Sequence, residues 1–325
     1  MKLLFLRGQV PSDRDRRQIM FDSLDDHDDM WVQLAHELVK LTNGYGEVWY
    51  ERGHRVTRYN DKFLERWVDR WTGYKCNFSP DVVFARGGFK IMLREAEKYK
   101  SAFKIHYGAG HRVVPKSGQC WDLVLVDTHK QWRAARRNGY NAQMFIKPAA
   151  DNIFFPRECA EKHYDVIYVA NWNPNANKGH RFLLSAMRDY RVLHVGYNIG
   201  TWAKKFPNTI FGGWMPRICL PDLYAAAKVA VVMTVGKDSC PRVIPEALAC
   251  NCPIIVSEET RLWHDRYINK HTGCTFNKTN FTAVLDTAIS AWRRYQPYVY
   301  YKKFLSLPVA AKHVLELMER SKCVS

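Results

Sequence analysis

Two kinds of hydrophobic spacing alternate along this 325-residue chain. Short, continuous apolar runs rich in β-branched residues fall at residues 2–6, 47–50, 81–85, 102–107, 123–127, 165–170, 192–195, 209–211, 229–235 and 253–256. Such runs suit strands of a parallel sheet buried on both faces. Between them lie stretches of helical spacing. In residues 31–41, Trp31, Leu34, Ala35, Leu38 and Val39 share one face. Further helices are expected at 89–99, 131–138, 179–188, 220–227, 241–250, 281–294 and 309–320. In residues 54–71, Phe63, Trp67 and Trp71 recur every four positions, which predicts another helix face. Strands alternating with helices imply an α/β fold with doubly wound parallel sheets. Between residues 147 and 156 Pro148 and Pro156 break the periodicity, which places a domain crossing there.

The segment 229–259 carries the most specific local pattern. An apolar strand is followed by a short polar loop, a helix beginning near Pro241, and a second strand at 253–256. In an open α/β sheet a loop at the carboxyl end of a strand is a ligand site, and the helix start favours phosphate. Asp238 and Glu246 flank it, which suits a ligand bearing hydroxyls as well as phosphates, such as a sugar nucleotide.

Composition narrows the class. With 47% hydrophobic and 14% aromatic residues the chain can bury large cores, which excludes global disorder. No run reaches the roughly 18 apolar residues of a membrane span, and Arg7 interrupts the N-terminal run too early for a signal peptide. The nine cysteines lack zinc or redox spacing and read as reduced thiols. The expected location is the cytoplasm, a host's if the source is viral, with peripheral membrane attachment as the alternative. The net charge of +17 is uneven. Residues 1–50 hold 6 basic and 9 acidic residues, residues 51–150 hold 20 and 9, and residues 151–325 hold 23 and 14. The basic excess over 51–150 indicates an anionic partner, with simple solubility as the alternative. The acidic run Asp22–Asp29 is a candidate cation site, but an acidic solvated loop is the plainer reading, and no metal is required.

In the second half, four segments occur in the order of a known family. Residues 148–156 resemble a P-N-G-V-D-x-x-x-F-x-P segment, with Ala149 and Ala150 in place of Asn-Gly. Residues 169–186 resemble a G-R…K-G…L-L-x-A segment, residues 220–227 an L-x-x-L-Y-x-x-A helix, and residues 238–250 an E-x7-E-A-x-A-C-G signature. Together they resemble the GT-B glycosyltransferases, specifically the retaining group called family 4. The resemblance implies two Rossmann-like domains facing a central cleft. Residues 1–147 would bind the acceptor, residues 148–305 a UDP- or GDP-sugar, and residues 306–325 would form a helix packing back on the first domain.

The resemblance also implies roles. Glu246 would bind the ribose hydroxyls and Asp238 the transferred sugar. Lys178 would neutralise phosphate; the arginine that usually accompanies it is absent, the region reading Asn171-Trp172-Asn173. Ser239, Cys240 and Arg242 would serve the diphosphate, and Gly8 would belong to the donor site. Trp214, beside Met215, would stack on the base or else pack between domains. His111 would lie near the sugar, with His106 as competitor, and the donor phosphate would take the acceptor proton. Arg66, Arg133, Arg136 and Arg137 are candidates for holding an anionic acceptor. That acceptor is expected to be DNA carrying a base hydroxyl, with a membrane-associated or cell-envelope saccharide as the alternative. A catalytically dead nucleotide- or nucleic-acid-binding module is the third reading.

Overall fold

The computed structural model describes residues 1–7, 29–51, 56–68, 76–87, 90–108, 114–158, 161–171, 178–197, 206–235 and 240–323. The chain divides into two compact units, residues 1–146 with 307–325, and residues 147–306.

Unit 1 contains β1 (Lys2–Arg7), α1 (Met30–Leu41), β2 (Tyr45–Glu51), β3 (Val56–Asn60), β4 (Phe63–Val68) and β5 (Val82–Arg86). It continues with α2 (Lys90–Glu97), β6 (Phe103–Tyr107), β7 (Leu123–Val126), α3 (His129–Arg137) and β8 (Ala142–Met144). Its eight strands run in the order β3-β4-β2-β1-β5-β6-β7-β8. All pairings are parallel except β3 with β4. The strands are buried apolar runs, and α1 lays its apolar face on them. Asp29, the one described member of the acidic run, caps α1, its carboxylate accepting from the Trp31 N–H at 2.9 Å. Trp31 then packs among Phe5, Phe84, Tyr107 and Phe145, with Phe5 stacked on Phe84 at 4.7 Å. Each such buried aromatic contributes about 1.5–3 kcal/mol.

Residues 54–71 do not form the helix their four-residue spacing predicts. Phe63 and Trp67 lie on β4, which pairs parallel with β2 and antiparallel with β3; residues 52–55 and 69–75 lie outside the described residues. Val56, Thr57 and Tyr59 favour an extended backbone. Asn60 and Asp61 supply turn chemistry, and the edge of β2 satisfies the backbone of β4 as a helix would have done internally.

Unit 2 contains β9 (Tyr164–Val169), α4 (His180–Ala186), β10 (Val192–Val195), β11 (Thr209–Gly213), α5 (Leu220–Ala225) and β12 (Ala227–Val232). After these come α6 (Val243–Ala249), β13 (Ile254–Ser257), α7 (His264–Tyr267), β14 (Gly273–Phe276), α8 (Phe281–Ser290) and α9 (Pro297–Phe304). The sheet is wholly parallel, in the order β11-β10-β9-β12-β13-β14. The helix expected to run to residue 294 ends at Ser290, followed by a 3-10 turn at Trp292–Arg294. β14, α7 and α9 have no counterpart in the apolar pattern. β14 is an edge strand of four residues, too short to declare itself.

The last helix, α10 (Leu307–Lys322), returns to unit 1. Ala310, Ala311, Val314, Leu317 and Met318 are buried there. Asn141 donates to Ser321 Oγ at 2.6 Å, and His313 meets the Met144 carbonyl at 3.2 Å. Among the described residues no helix is long and apolar enough to cross a membrane, and no disulfide joins the cysteines.

Candidate active site

The strand order fixes where each unit can hold a ligand. In unit 2 the chain builds outward from β9 through β10 to β11, then crosses to β12 on the other side of β9. The order therefore reverses between β9 and β12, and the crevice beyond their carboxyl ends is the place for a ligand. In unit 1 the same reversal falls between β1 and β5.

The unit 2 crevice brings several of the expected residues to one edge of the sheet. After β9, Lys178 and Gly179 lead into α4. Gly179 adopts φ +70°, and a Cβ there would stand 2.4 Å from the Sδ of Met233, just past β12. Only glycine permits that approach, so the turn carrying Lys178 is pressed against the end of β12. The buried Tyr168 hydroxyl donates to the Lys178 carbonyl at 2.6 Å and fixes the same turn from below. Lys178 itself is half-buried. Exposed Asn171, at the end of β9, accepts from the Tyr197 N–H at 3.1 Å.

Glu246 sits one turn into α6 and is 3% exposed. A carboxylate so buried needs a cationic or hydrogen-bonding partner, and Arg217 supplies it, donating to Oε1 at 2.8 Å. Arg217 belongs to a 3-10 turn, Arg217–Cys219, and its guanidinium lies over the Phe154 ring, 5.2 Å from the centroid. The buried Tyr224 hydroxyl has no hydrogen-bond partner among the described residues. Burial, and then the Glu246 charge, hold its phenol well above the usual tyrosine range. A paired carboxylate keeps acceptor capacity on its remaining lone pairs, which can take the hydroxyls of a sugar ring.

The segment between β12 and α6 ends at Cys240, buried and at φ +37°. Its N–H donates to the Arg261 carbonyl at 2.7 Å, so that amide is engaged within the protein rather than open to a diphosphate. Its carbonyl accepts from Lys147 Nζ at 2.7 Å. Arg242 is exposed at the N-cap of α6. Beyond β11, Trp214 is 37% exposed and stacks on Tyr197, with ring centroids 6.1 Å apart and planes 16° apart. Met215 beside it is half-buried. Asp238 and Ser239 lie outside the described residues.

In unit 1, Gly8 and His111 also lie outside the described residues. The turn before His111 is held by Gln131, whose Nε2 donates to the Gly108 carbonyl at 3.2 Å. His106, the competitor for the histidine role, is 2% exposed in β6, with Nε2 against the Gly87 carbonyl at 2.8 Å. Burial pushes its pKa down to about 4, so it is a neutral core histidine at neutral pH. Arg66 is on β4; its side chain lies outside the described residues. Arg133, Arg136 and Arg137 are exposed on α3 at spacings that make one stripe. They are not gathered at the strands' carboxyl ends. Arg136 lines a groove of about 1400 Å³ with Asp81, Lys100 and Asp122, which precede β5, β6 and β7 at the opposite edge of the sheet.

Comparison with known proteins decides the class. Residues 163–293 match the family described as Glycosyl transferases group 1. No curated protein sequence matches the chain. Among solved structures it is similar to a sucrose-phosphate synthase from Thermosynechococcus elongatus, at 12% identity, covering 100% of both chains with a TM-score of 0.72. It is similar to HepE of Anabaena in complex with UDP, at 11% identity, covering 98% of this chain and 100% of that one with a TM-score of 0.67. It is also similar to the lipopolysaccharide outer core galactosyltransferase WaaB, at 14% identity, covering 98% and 99% with a TM-score of 0.66. Residues 163–293 are a group 1 glycosyltransferase domain, and the fold is GT-B.

The glycosyltransferase domain contains Lys178, Trp214, Arg217, Cys240 and Glu246. Arg217 and Tyr197 are additions to the residues named from sequence. Arg217 is 29 positions from its partner Glu246, and nothing local marks the pair. Lys147, which reaches Cys240, precedes the matched span.

Proposed function

We propose that this glycosyltransferase moves a sugar from a nucleotide-sugar donor to an acceptor hydroxyl, with retention at the anomeric carbon. The observation that carries the reading is the buried Glu246 carboxylate, paired with Arg217 at the carboxyl edge of the unit 2 sheet, within a group 1 glycosyltransferase domain. Glu246 accepts from the ribose hydroxyls, and Asp238 holds the hydroxyls of the transferred sugar. Lys178 and the start of α6 face the diphosphate. Fixed charges there stabilise the leaving group as its negative charge develops, which is the main demand of the reaction. Trp214, stacked on Tyr197, offers an aromatic face to the base. The HepE complexes with UDP and with UDP-glucose support a nucleotide-sugar donor, and no metal is assigned to the reaction.

The acceptor in this proposal is DNA carrying a hydroxylated base. Its support is the net charge of +17 and the exposed arginine stripe of α3. The second reading, transfer to a cell-envelope saccharide, is favoured by the similarity to WaaB.

The test is sugar transfer and donor hydrolysis measured over UDP-, GDP- and ADP-sugars. Hydroxymethylated duplex DNA and envelope saccharide are supplied as competing acceptors. With the preferred donor, Glu246→Ala and Lys178→Ala are each expected to lower turnover by about 100-fold, the loss of one strong polar contact in the transition state. Intact turnover in both variants means that the donor lies elsewhere.

A further inference from the structure

Lys147 is a buried cation in unit 2 that the roles above do not use. It is 8% exposed, and lysine is almost never so buried unless its charge is met. Its main chain is clamped on both sides by one residue. The Lys147 N–H donates to Tyr267 Oη at 2.7 Å, and the same hydroxyl donates back to the Lys147 carbonyl at 3.1 Å. Tyr267 is 1% exposed, so the clamp is rigid and the lysine side chain cannot turn out to water.

The ammonium has three donors. Among the described residues its hydrogen-bond acceptor is the Cys240 carbonyl at 2.7 Å, and no carboxylate forms an ion pair with it. One neutral carbonyl leaves two donors and a full charge to be answered. Cys240 closes the connection between β12 and α6 at the point of strand-order reversal. An anion bound on that connection would meet a cation already desolvated and fixed in place.

We propose that Lys147 is a donor-phosphate residue, its ammonium held at the Cys240 carbonyl and supplying positive charge to a diphosphate bound between β12 and α6. The inference rests on the nucleotide-sugar reading and adds a second cation, from outside the matched glycosyltransferase span, to Lys178. A purely structural strut between Lys147 and Cys240 would shape the loop without distinguishing a phosphate from any other ligand group.

The experiment compares nucleoside diphosphates with their nucleosides. Binding of UDP, GDP and ADP, of uridine, guanosine and adenosine, and of inorganic pyrophosphate is measured by calorimetry on the full chain, wild type and Lys147→Gln. For the base that wild type prefers, Lys147→Gln is expected to weaken the diphosphate and pyrophosphate by about 10- to 100-fold, the worth of a charged hydrogen bond. The nucleoside should change less than about twofold, and Lys147→Arg should restore most of the diphosphate affinity. Lys147→Met, close in length, replaces the glutamine variant if circular dichroism shows that the latter does not fold. Diphosphate and nucleoside weakening together, or neither weakening, overturns the role of Lys147 and leaves the donor site standing. Wild type that binds none of the three diphosphates overturns the nucleotide-sugar reading, and this proposal with it.

Discussion

Three buried histidines link single residues to a measurable property of the fold. Burial lowers His106 and His180 to about 4 and His194 to about 3, from the ordinary 6.5. His180 and His194 face each other at 5.4 Å in unit 2, with Tyr168 at 5.1 Å from both rings; Lys178 also lowers His180. His194 is 0% exposed, with no hydrogen-bond partner on either ring nitrogen among the described residues. The sign of the linkage follows. Below pH 6.5 the unfolded chain takes up protons that the native histidines refuse until about pH 4 or lower, so stability is full above 6.5 and falls as pH drops through that window. Each histidine contributes a loss of about 1 kcal/mol per pH unit. Urea unfolding at pH 7.5, 6.0 and 5.0 should show this fall, and His194→Leu should show a shallower one. Equal pH slopes for the two proteins would remove His194 from the account.

At the scale of elements, the tightest joint is the turn from β9 into α4. Gly179 combines φ +70° with contact against Met233. Gly179→Ala is expected to cost about 1–3 kcal/mol, since it adds left-handed strain and a steric overlap at once. Because the same turn carries Lys178, the variant should also bind donor nucleotide more weakly. Chemical unfolding read beside nucleotide binding checks both, and a variant matching wild type in each would show that the turn tolerates a side chain. This joint was only partly legible in the sequence. The K-G pair stood in the right place, but its contact with Met233 joins residues on separate strands. β12 and α6 were legible because each is one uninterrupted pattern, a buried apolar run and then a short helix with Glu246 on its inner face. β3 and β4 were not, because Phe63, Trp67 and Trp71 fit a helical period as well as they fit strands. Only pairing with β2 resolves that ambiguity. The Lys147–Cys240 contact spans 93 positions, a separation at which local spacing carries no information.

Over the whole molecule, charge makes the proposed acceptor testable. A net +17 drives non-specific association with any polyanion, so binding to DNA alone would say little; the dependence on salt says more. Each phosphate that the protein neutralises releases counterions and adds about −0.9 to the slope of log K against log salt. Arg133, Arg136 and Arg137 form an exposed stripe on α3, with Lys130 exposed one turn before Arg133. Four such contacts give a slope of about −4 and a loss of roughly 100-fold in affinity between 50 and 200 mM salt. Substituting the three arginines by alanine should reduce the slope by about 3. All three are exposed, so the fold should survive, as circular dichroism can verify. The stripe reaches toward the amino edge of the unit 1 sheet, where Arg136 joins the groove beneath α10. A duplex gripped there would be held by its backbone and selected by its modified base elsewhere. Hydroxymethylated and unmodified duplexes should therefore share one salt slope and differ only in whether sugar is transferred. A flat slope, or one unchanged by the triple substitution, would move the acceptor away from DNA and toward the envelope saccharide.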